Sequence, residues 1–290
     1  MRTRLHLVCA LLLTWPAAVF AAGPVPIVAA ENVYGDLARQ LAPPGTVITS
    51  ILNNPDEDPH LFEASPSVAR AISAARIVVY NGADYDPWMA KLLRAARSPN
   101  RTVVIVADLV HKKSGDNPHL WYDPATFAAA ARALTAALIA ADPAQVEDDR
   151  QRLATLLDSL NPIDAKIAAM RTKYTGMPIT ATEPVFGYMA ARLGLVVRNE
   201  RFALAVMNNT EPRASDVAAF EADLRAHRVR ALLYNSQASN TAARRLLGIA
   251  RQAGVTVVGL TETEPAGKTY QTWMIDQLEA LDAALAPSNP

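Results

Sequence analysis

The chain of 290 residues holds a single cysteine, Cys9, and it falls within the first twenty residues. Everything downstream therefore lacks a disulfide, a thiolate metal site and a cysteine nucleophile. An excess of either charge is also missing. The 28 Lys and Arg balance the 28 Asp and Glu, which leaves no basic field for nucleic acid to exploit. The sequence contains no HExxH metalloprotease motif, no GxSxG nucleophile elbow and no P-loop. What is present is 51% hydrophobic and 19% charged, enough to bury a core in one large or two ordinary domains.

The first 22 residues read as a secretory signal. Arg2 and Arg4 make a positive start, an apolar stretch follows, and small residues end it at Ala21 and Ala22. The stretch contains Pro16 and falls short of the roughly 18–20 apolar residues that a membrane span needs. Cys9 comes too early in it to leave an apolar segment before a lipid-attachment site, so a soluble exported, periplasmic protein is the reading adopted. Removing the signal takes Arg2 and Arg4 away and leaves the remainder faintly acidic.

Beyond the signal, short β-branched runs alternate with amphipathic, alanine-rich stretches, the pattern of parallel α/β sheets covered on both faces. Strands are predicted at 25–29, 46–52, 76–81 and 102–107, then at 178–182, 202–206, 230–234 and 256–260. Ser65-Pro66 supplies a cap and a first-turn proline for a helix over 67–75. Four strands on either side of the midpoint predict two lobes, over 23–142 and 174–290. Residues 143–173 between them show no strand candidate and carry Leu and Ile at helical spacing. A flexible linker would be rich in Gly, Ser and Pro. This segment reads instead as one long stiff helix with a possible kink at Pro162, because an interior proline removes a backbone hydrogen bond.

Four histidines remain after the signal: His60, His111, His119 and His227. His60 and His119 stand in matching frames, Asp58-Pro59-His60-Leu61-Phe62 and Asn117-Pro118-His119-Leu120-Trp121. In each, a proline restricts the chain and directs the imidazole. His111 beside Lys112 and Lys113, and His227 between basic residues, have neighbours that disfavour a metal. Two carboxylates, Glu183 and Glu262, follow predicted strands, where α/β sheets place ligands. Each could equally be a helix-starting acid that complements the macrodipole.

Read together, these segments resemble the metal-specific periplasmic binding proteins, the receptors that serve zinc and manganese ABC importers. The resemblance rests on Asp58-Pro59-His60-Leu61-Phe62-Glu63 with Ser65-Pro66, on Asn81-Gly82 before Trp88, and on Asn117-Pro118-His119-Leu120-Trp121-Tyr122-Asp123-Pro124. It continues through Glu183-Pro184-Val185-Phe186-Gly187-Tyr188-Met189-Ala190 with Leu193-Gly194-Leu195, Glu211-Pro212, and Gly259-Leu260-Thr261-Glu262-Thr263. It covers essentially the whole chain beyond the signal.

The resemblance implies two α/β lobes, each a four-stranded mostly parallel sheet, bridged by one long helix, with a metal in the cleft between them. It implies four ligands: His60 and His119 from the first lobe, Glu183 and Glu262 from the second. Zinc-type members have histidine where Glu183 stands, so the glutamate is similar to the manganese type. The last ligand is usually Asp, and Glu262 is one methylene longer; Glu264, two residues on, is an alternative. The implied cargo is one divalent transition-metal ion, Mn²⁺ slightly ahead of Zn²⁺ and then Fe²⁺, and the implied partner is an ABC importer permease. A monomeric, non-enzymatic receptor is expected. A metal-dependent hydrolase using the same His/Glu set and a metal-binding surface adhesin are the alternatives. The stretch 111–116 is too short to act as a secondary, histidine-rich metal reservoir.

Overall fold

The computed structural model describes residues 25–54, 62–237 and 241–287. The signal segment, His60 and the acidic run Asp56-Glu57-Asp58 lie outside the described residues. In chain order the first half runs β1 (Ile27–Glu31), α1 (Asn32–Leu41), β2 (Ile48–Leu52), α2 (Pro66–Ala74), β3 (Ile77–Tyr80), α3 (Pro87–Ala95), β4 (Thr102–Ile105), α4 (Val106–Leu109) and α5 (Pro124–Ala141). Next come α6 (Val146–Asp158) and α7 (Asn161–Tyr174). The second half runs β5 (Pro178–Ala181), α8 (Gly187–Leu193), β6 (Val196–Arg198), α9 (Glu200–Met207), α10 (Ala214–Arg225), β7 (Ala231–Asn235), α11 (Thr241–Gln252), β8 (Thr256–Leu260) and α12 (Tyr270–Leu285).

The strands form two four-stranded sheets, ordered β2-β1-β3-β4 and β6-β5-β7-β8. Every pairing is parallel. The predicted two-lobe α/β architecture is thus observed. In each sheet the chain first winds one way from the founding strand and then returns to the strand on its other side. The carboxyl ends of β1 and β3, and of β5 and β7, consequently flank a topological switch point, where open parallel sheets form a crevice.

One predicted strand is corrected. Residues 202–206 belong to α9, and the strand of that region is β6, three residues at the sheet edge. The run Phe-Ala-Leu-Ala-Val is uniformly apolar and too short for periodicity to separate strand from helix. The side chains show the helical spacing: Phe202, Ala203 and Val206 are buried while Leu204 is 41% exposed. The linking segment is helical, as its pattern predicts, but in two pieces. A turn at Ser159 and Leu160 separates α6 from α7, and Pro162 lies in the first turn of α7. Proline is tolerated there because the N–H it lacks would have had no intrahelical partner.

The lobes share one continuous core. It runs from Ile27, Leu37 and Val79 in the first sheet layer, through Phe127, Leu134 and Leu138 on α5 and Ile163 and Met170 on α7, to Ile179, Leu193 and Leu233 in the second, closed by Trp273, Met274 and Leu281 on α12. Helix α5 is apolar and long enough to cross a membrane, but half of that stretch is buried. Its stripe of Phe127, Ala130, Ala131, Leu134 and Leu138 packs into this core. At the seam between lobes, the Phe127 ring stacks on Tyr270 at a centroid distance of 3.6 Å. The Tyr270 hydroxyl donates to the Trp121 carbonyl at 2.9 Å. Thr269 and Thr272 form a capping box that sets where α12 begins.

Replacing Phe127 with Ala leaves a cavity at the seam itself. The expected outcome is a loss of about 3–5 kcal/mol of unfolding free energy, measured by urea denaturation, with a single transition because one core spans both lobes.

Candidate metal centre

Glu183 lies two residues beyond β5, Asn235 ends β7, and Glu262 lies two residues beyond β8. Parallel pairing of β5 with β7 and of β7 with β8 brings these ends side by side. Both carboxylates accept from the same group, the Asn235 side-chain amide. Its Nδ2 contacts Glu183 Oε2 and lies 2.5 Å from Glu262 Oε1. The orientation of that amide is set by its other end, since Asn235 Oδ1 accepts from the Gln237 backbone N–H at 3.0 Å. Gln237 in turn holds the Glu262 corner, its Oε1 accepting from the N–H groups of Glu262 at 2.5 Å and Thr263 at 3.0 Å.

From the opposite lobe, His119 and Tyr85 meet Glu262. His119 Nε2 is 3.2 Å from Glu262 Oε2, and the Tyr85 hydroxyl donates to the same oxygen at 3.0 Å. His119 Nδ1 is 2.7 Å from Asn117 Oδ1. Asn117 Nδ2 donates to the Pro184 carbonyl at 2.7 Å, which makes its Oδ1 the end that faces the ring. Nδ1 therefore carries a proton, and Nε2 is the ring nitrogen turned toward Glu262. The Asn117 contact needs room on the other lobe: a Cβ at Gly187 would come within 2.8 Å of Asn117 Nδ2. Tyr188 completes the clamp by donating to the Asn117 carbonyl at 2.6 Å.

His119 is fully buried, Glu183 is 4% exposed and Glu262 is 3% exposed. The structure thus brings three of the four sequence candidates to one crevice, with His60 outside the described residues. Among the described residues no group of three His, Asp, Glu or Cys side chains is close enough to hold an ion by itself. The donor types fit a first-row dication, with one imidazole nitrogen and two carboxylates that can bind through one or both oxygens. Ligands must be deprotonated to coordinate.

Glu264 is placed elsewhere. Its backbone is clamped by Asn32, whose Nδ2 donates to the Glu264 carbonyl at 2.7 Å and whose Oδ1 accepts from its N–H at 3.0 Å. Burial, reinforced by the nearby Asp36 charge, pushes the Glu264 carboxyl up to about 8. Burial thus favours its neutral form near pH 7. His111 and His227 sit on exposed loops, away from the crevice, as their basic neighbours imply.

The family profile described as zinc-uptake complex component A, periplasmic, matches residues 27–284. The chain belongs to this family. Among curated relatives, the zinc-binding protein TroA of Treponema pallidum is 23% identical over 206 residues, 67% of this chain and 65% of TroA. The manganese ABC transporter substrate-binding lipoprotein PsaA of Streptococcus anginosus is 24% identical over 187 residues, 58% of this chain and 59% of PsaA. Those alignments span less than two thirds of either relative. In three dimensions the periplasmic zinc-binding protein TroA of Treponema pallidum superposes with a TM-score of 0.78 at 20% identity, covering 91% of this chain and all of that one. A manganese-bound periplasmic metal-binding protein of Candidatus Liberibacter asiaticus, an S38A variant, gives 0.73 at 16% identity, covering 90% of this chain and 99% of the other. The two-lobe fold of this family is therefore the fold of this chain.

The sequence reading missed Tyr85, Asn235 and Gln237. Asn235 had a usable signal, since it ends a strand at the same sheet edge as Glu183 and Glu262. Tyr85 and Gln237 sit in loops whose direction only the packing reveals.

Glu264 yields a test of the electrostatics. Its carboxyl is raised in the folded state, so its contribution is intact below the unfolded value of about 4.5 and is lost as pH rises toward about 8. The Glu264→Gln variant, neutral throughout, should become more stable relative to wild type as pH climbs from about 5 to about 8. Urea denaturation of both metal-free proteins at the two pH values reads this, and a constant difference defeats it.

Proposed function

We propose that this protein is an exported receptor that captures one divalent transition-metal ion in the interlobe crevice and delivers it to an ABC-type importer in the membrane. The observation that carries this is the convergence on Glu262. One carboxylate faces His119 Nε2 from the first lobe and shares the Asn235 amide with Glu183 in the second. In this reading His60, His119, Glu183 and Glu262 form the coordination shell. Asn235 bridges the two carboxylates where the ion would otherwise have to balance them.

Capture works by replacing repulsion with attraction. Two carboxylates close together in a crevice of low dielectric repel, and a dication between them reverses the sign. His119 and Glu262 come from opposite lobes, so the ion favours the assembled crevice over any opened one. The shared core and the Phe127–Tyr270 stack oppose a wide hinge motion. A small lobe rotation or a local loop movement is the release step this architecture allows.

Binding rather than turnover is favoured because four protein ligands leave no coordination position for a reacting molecule. Mn²⁺ is placed ahead of Zn²⁺, with Fe²⁺ third, because a carboxylate-rich shell supports coordination above four whereas nitrogen-rich tetrahedral sites suit zinc. Intrinsic affinity runs the other way, rising from Mn²⁺ to Zn²⁺, so zinc also binds. The receptor is a periplasmic monomer, consistent with the signal-like first 22 residues and with the transporter role in the name of PsaA.

Calorimetry with Mn²⁺ and Zn²⁺ against a chelator control should give one-to-one uptake, and no uptake sinks the reading. Glu183→Ala should weaken binding at least tenfold, and Glu183→His should move the preference toward Zn²⁺; an unchanged isotherm removes Glu183 from the shell. Affinity should also fall between about pH 7 and about pH 5, as protons compete for the imidazole nitrogens. A flat profile argues against histidine ligation.

A further inference from the structure

Beneath the crevice, on the first lobe, lies a buried acidic pair that plays no part in coordination. Glu31 ends β1 and is 4% exposed; Asp86 precedes α3 and is 1% exposed. Both Glu31 oxygens are buried without a hydrogen bond of ordinary geometry, and the carboxyl lies against that of Asp86, with the Glu31 and Asn81 backbone N–H groups nearby. Burial, and then the Asp86 charge, drives Glu31 far above the usual carboxylate range, whereas Asp86 rises to about 6, held down by the hydrogen bonds it receives from Glu31, Gly82 and Asn81. Between the two, burial leaves the negative charge more readily on Asp86 than on Glu31.

That charge has a defined use. Asp86 Oδ2 accepts from the Asn81 N–H at 2.7 Å and Oδ1 from the Gly82 N–H at 2.9 Å. The turn it closes holds three successive residues in the left-handed region: Gly82 at φ 77°, Ala83 at 50° and Asp84 at 64°. Ala and Asp occupy that region at a cost, and such strain persists only where surrounding structure imposes it. At Gly82 a Cβ would come within 2.9 Å of Ile105 Cγ2 and 3.0 Å of Ala107 Cβ. The turn has two outlets toward the crevice. On one side Asn81, fully buried and anchored by the Tyr34 hydroxyl at 2.7 Å, donates from Nδ2 to the Pro118 carbonyl at 2.8 Å, one residue before His119. On the other side the chain leaves directly into Tyr85, which donates to Glu262.

We propose that Asp86 is a positioning residue for metal capture: it holds the strained 82–84 turn so that Asn81 fixes the His119 loop and Tyr85 reaches Glu262 across the crevice. The positioning role rests on the receptor reading. Asp86 touches no ligand and acts through the two groups on either side of its turn.

Metal affinity and the spectrum of the loaded protein test it. Asp86→Asn should fold, bind Mn²⁺ and Zn²⁺ about 10–100-fold more weakly, and change the visible absorption of the Co²⁺-loaded protein. A purely stabilising role would leave that absorption unmoved. If Asp86→Asn fails to fold, Asn81→Ala keeps the backbone N–H to Asp86, removes the bond to Pro118, and should show the same shift in affinity and absorption. A folded variant with wild-type affinity and spectrum overturns the positioning role alone. A wild-type protein that takes up none of the three ions overturns the receptor reading and the positioning role with it.

Discussion

Burying Glu183 and Glu262 side by side sets up a repulsion that the fold must answer. Outside water, two carboxylates cannot both stay charged unless a donor or a cation lies between them. The chain supplies a partial answer in Asn235, whose one amide reaches both, in the Tyr85 hydroxyl, and in the Gln237 oxygen that secures the Glu262 backbone. None of these carries a full positive charge, and His119 Nε2 is turned toward the same Glu262 carboxylate.

The scaffold is built to keep that arrangement in place. Parallel sheets bring strand ends with side chains of their own choosing to one edge, and the switch points between β1 and β3 and between β5 and β7 leave a crevice there. The lobes then cross-brace. Asn117 bonds to Pro184, Asn32 clamps Glu264, Tyr122 donates to the Thr261 carbonyl, and Tyr270 to that of Trp121. These bonds lie over a core that passes from one lobe to the other without a break. Stiffness at the seam is what allows ligands from opposite sheets to be aimed with useful accuracy, since a loose shell forfeits affinity.

Buried acids recur near the crevice with different charge states. Asp86 accepts two backbone N–H groups and keeps its charge more readily than Glu31, which burial and the Asp86 charge push well up. Glu264 faces Asp36 and is neutral near pH 7. The charge an acid keeps thus depends on which donors face it. Glu262, beyond a strand end of the second lobe, faces His119.

Seven of the eight strands, both lobes and the helical character of the linker are legible in the sequence, because alternation and amphipathic spacing are local signals. The failure at 202–206 is a local ambiguity too, an apolar run too short to show a period. His119, Glu183 and Glu262 are legible as candidates through their frames and their places after strands. Their convergence is not, because it joins residues far apart along the chain through sheet register and lobe packing. Which of Glu262 and Glu264 faces His119 depends on tertiary contacts, with Tyr85 meeting the first and Asn32 clamping the backbone of the second. The roles of Asn235, Gln237 and Asp86 belong to the same class. An amide or a carboxylate acquires its function from the partners that the fold brings to it, and nothing in its immediate sequence names them.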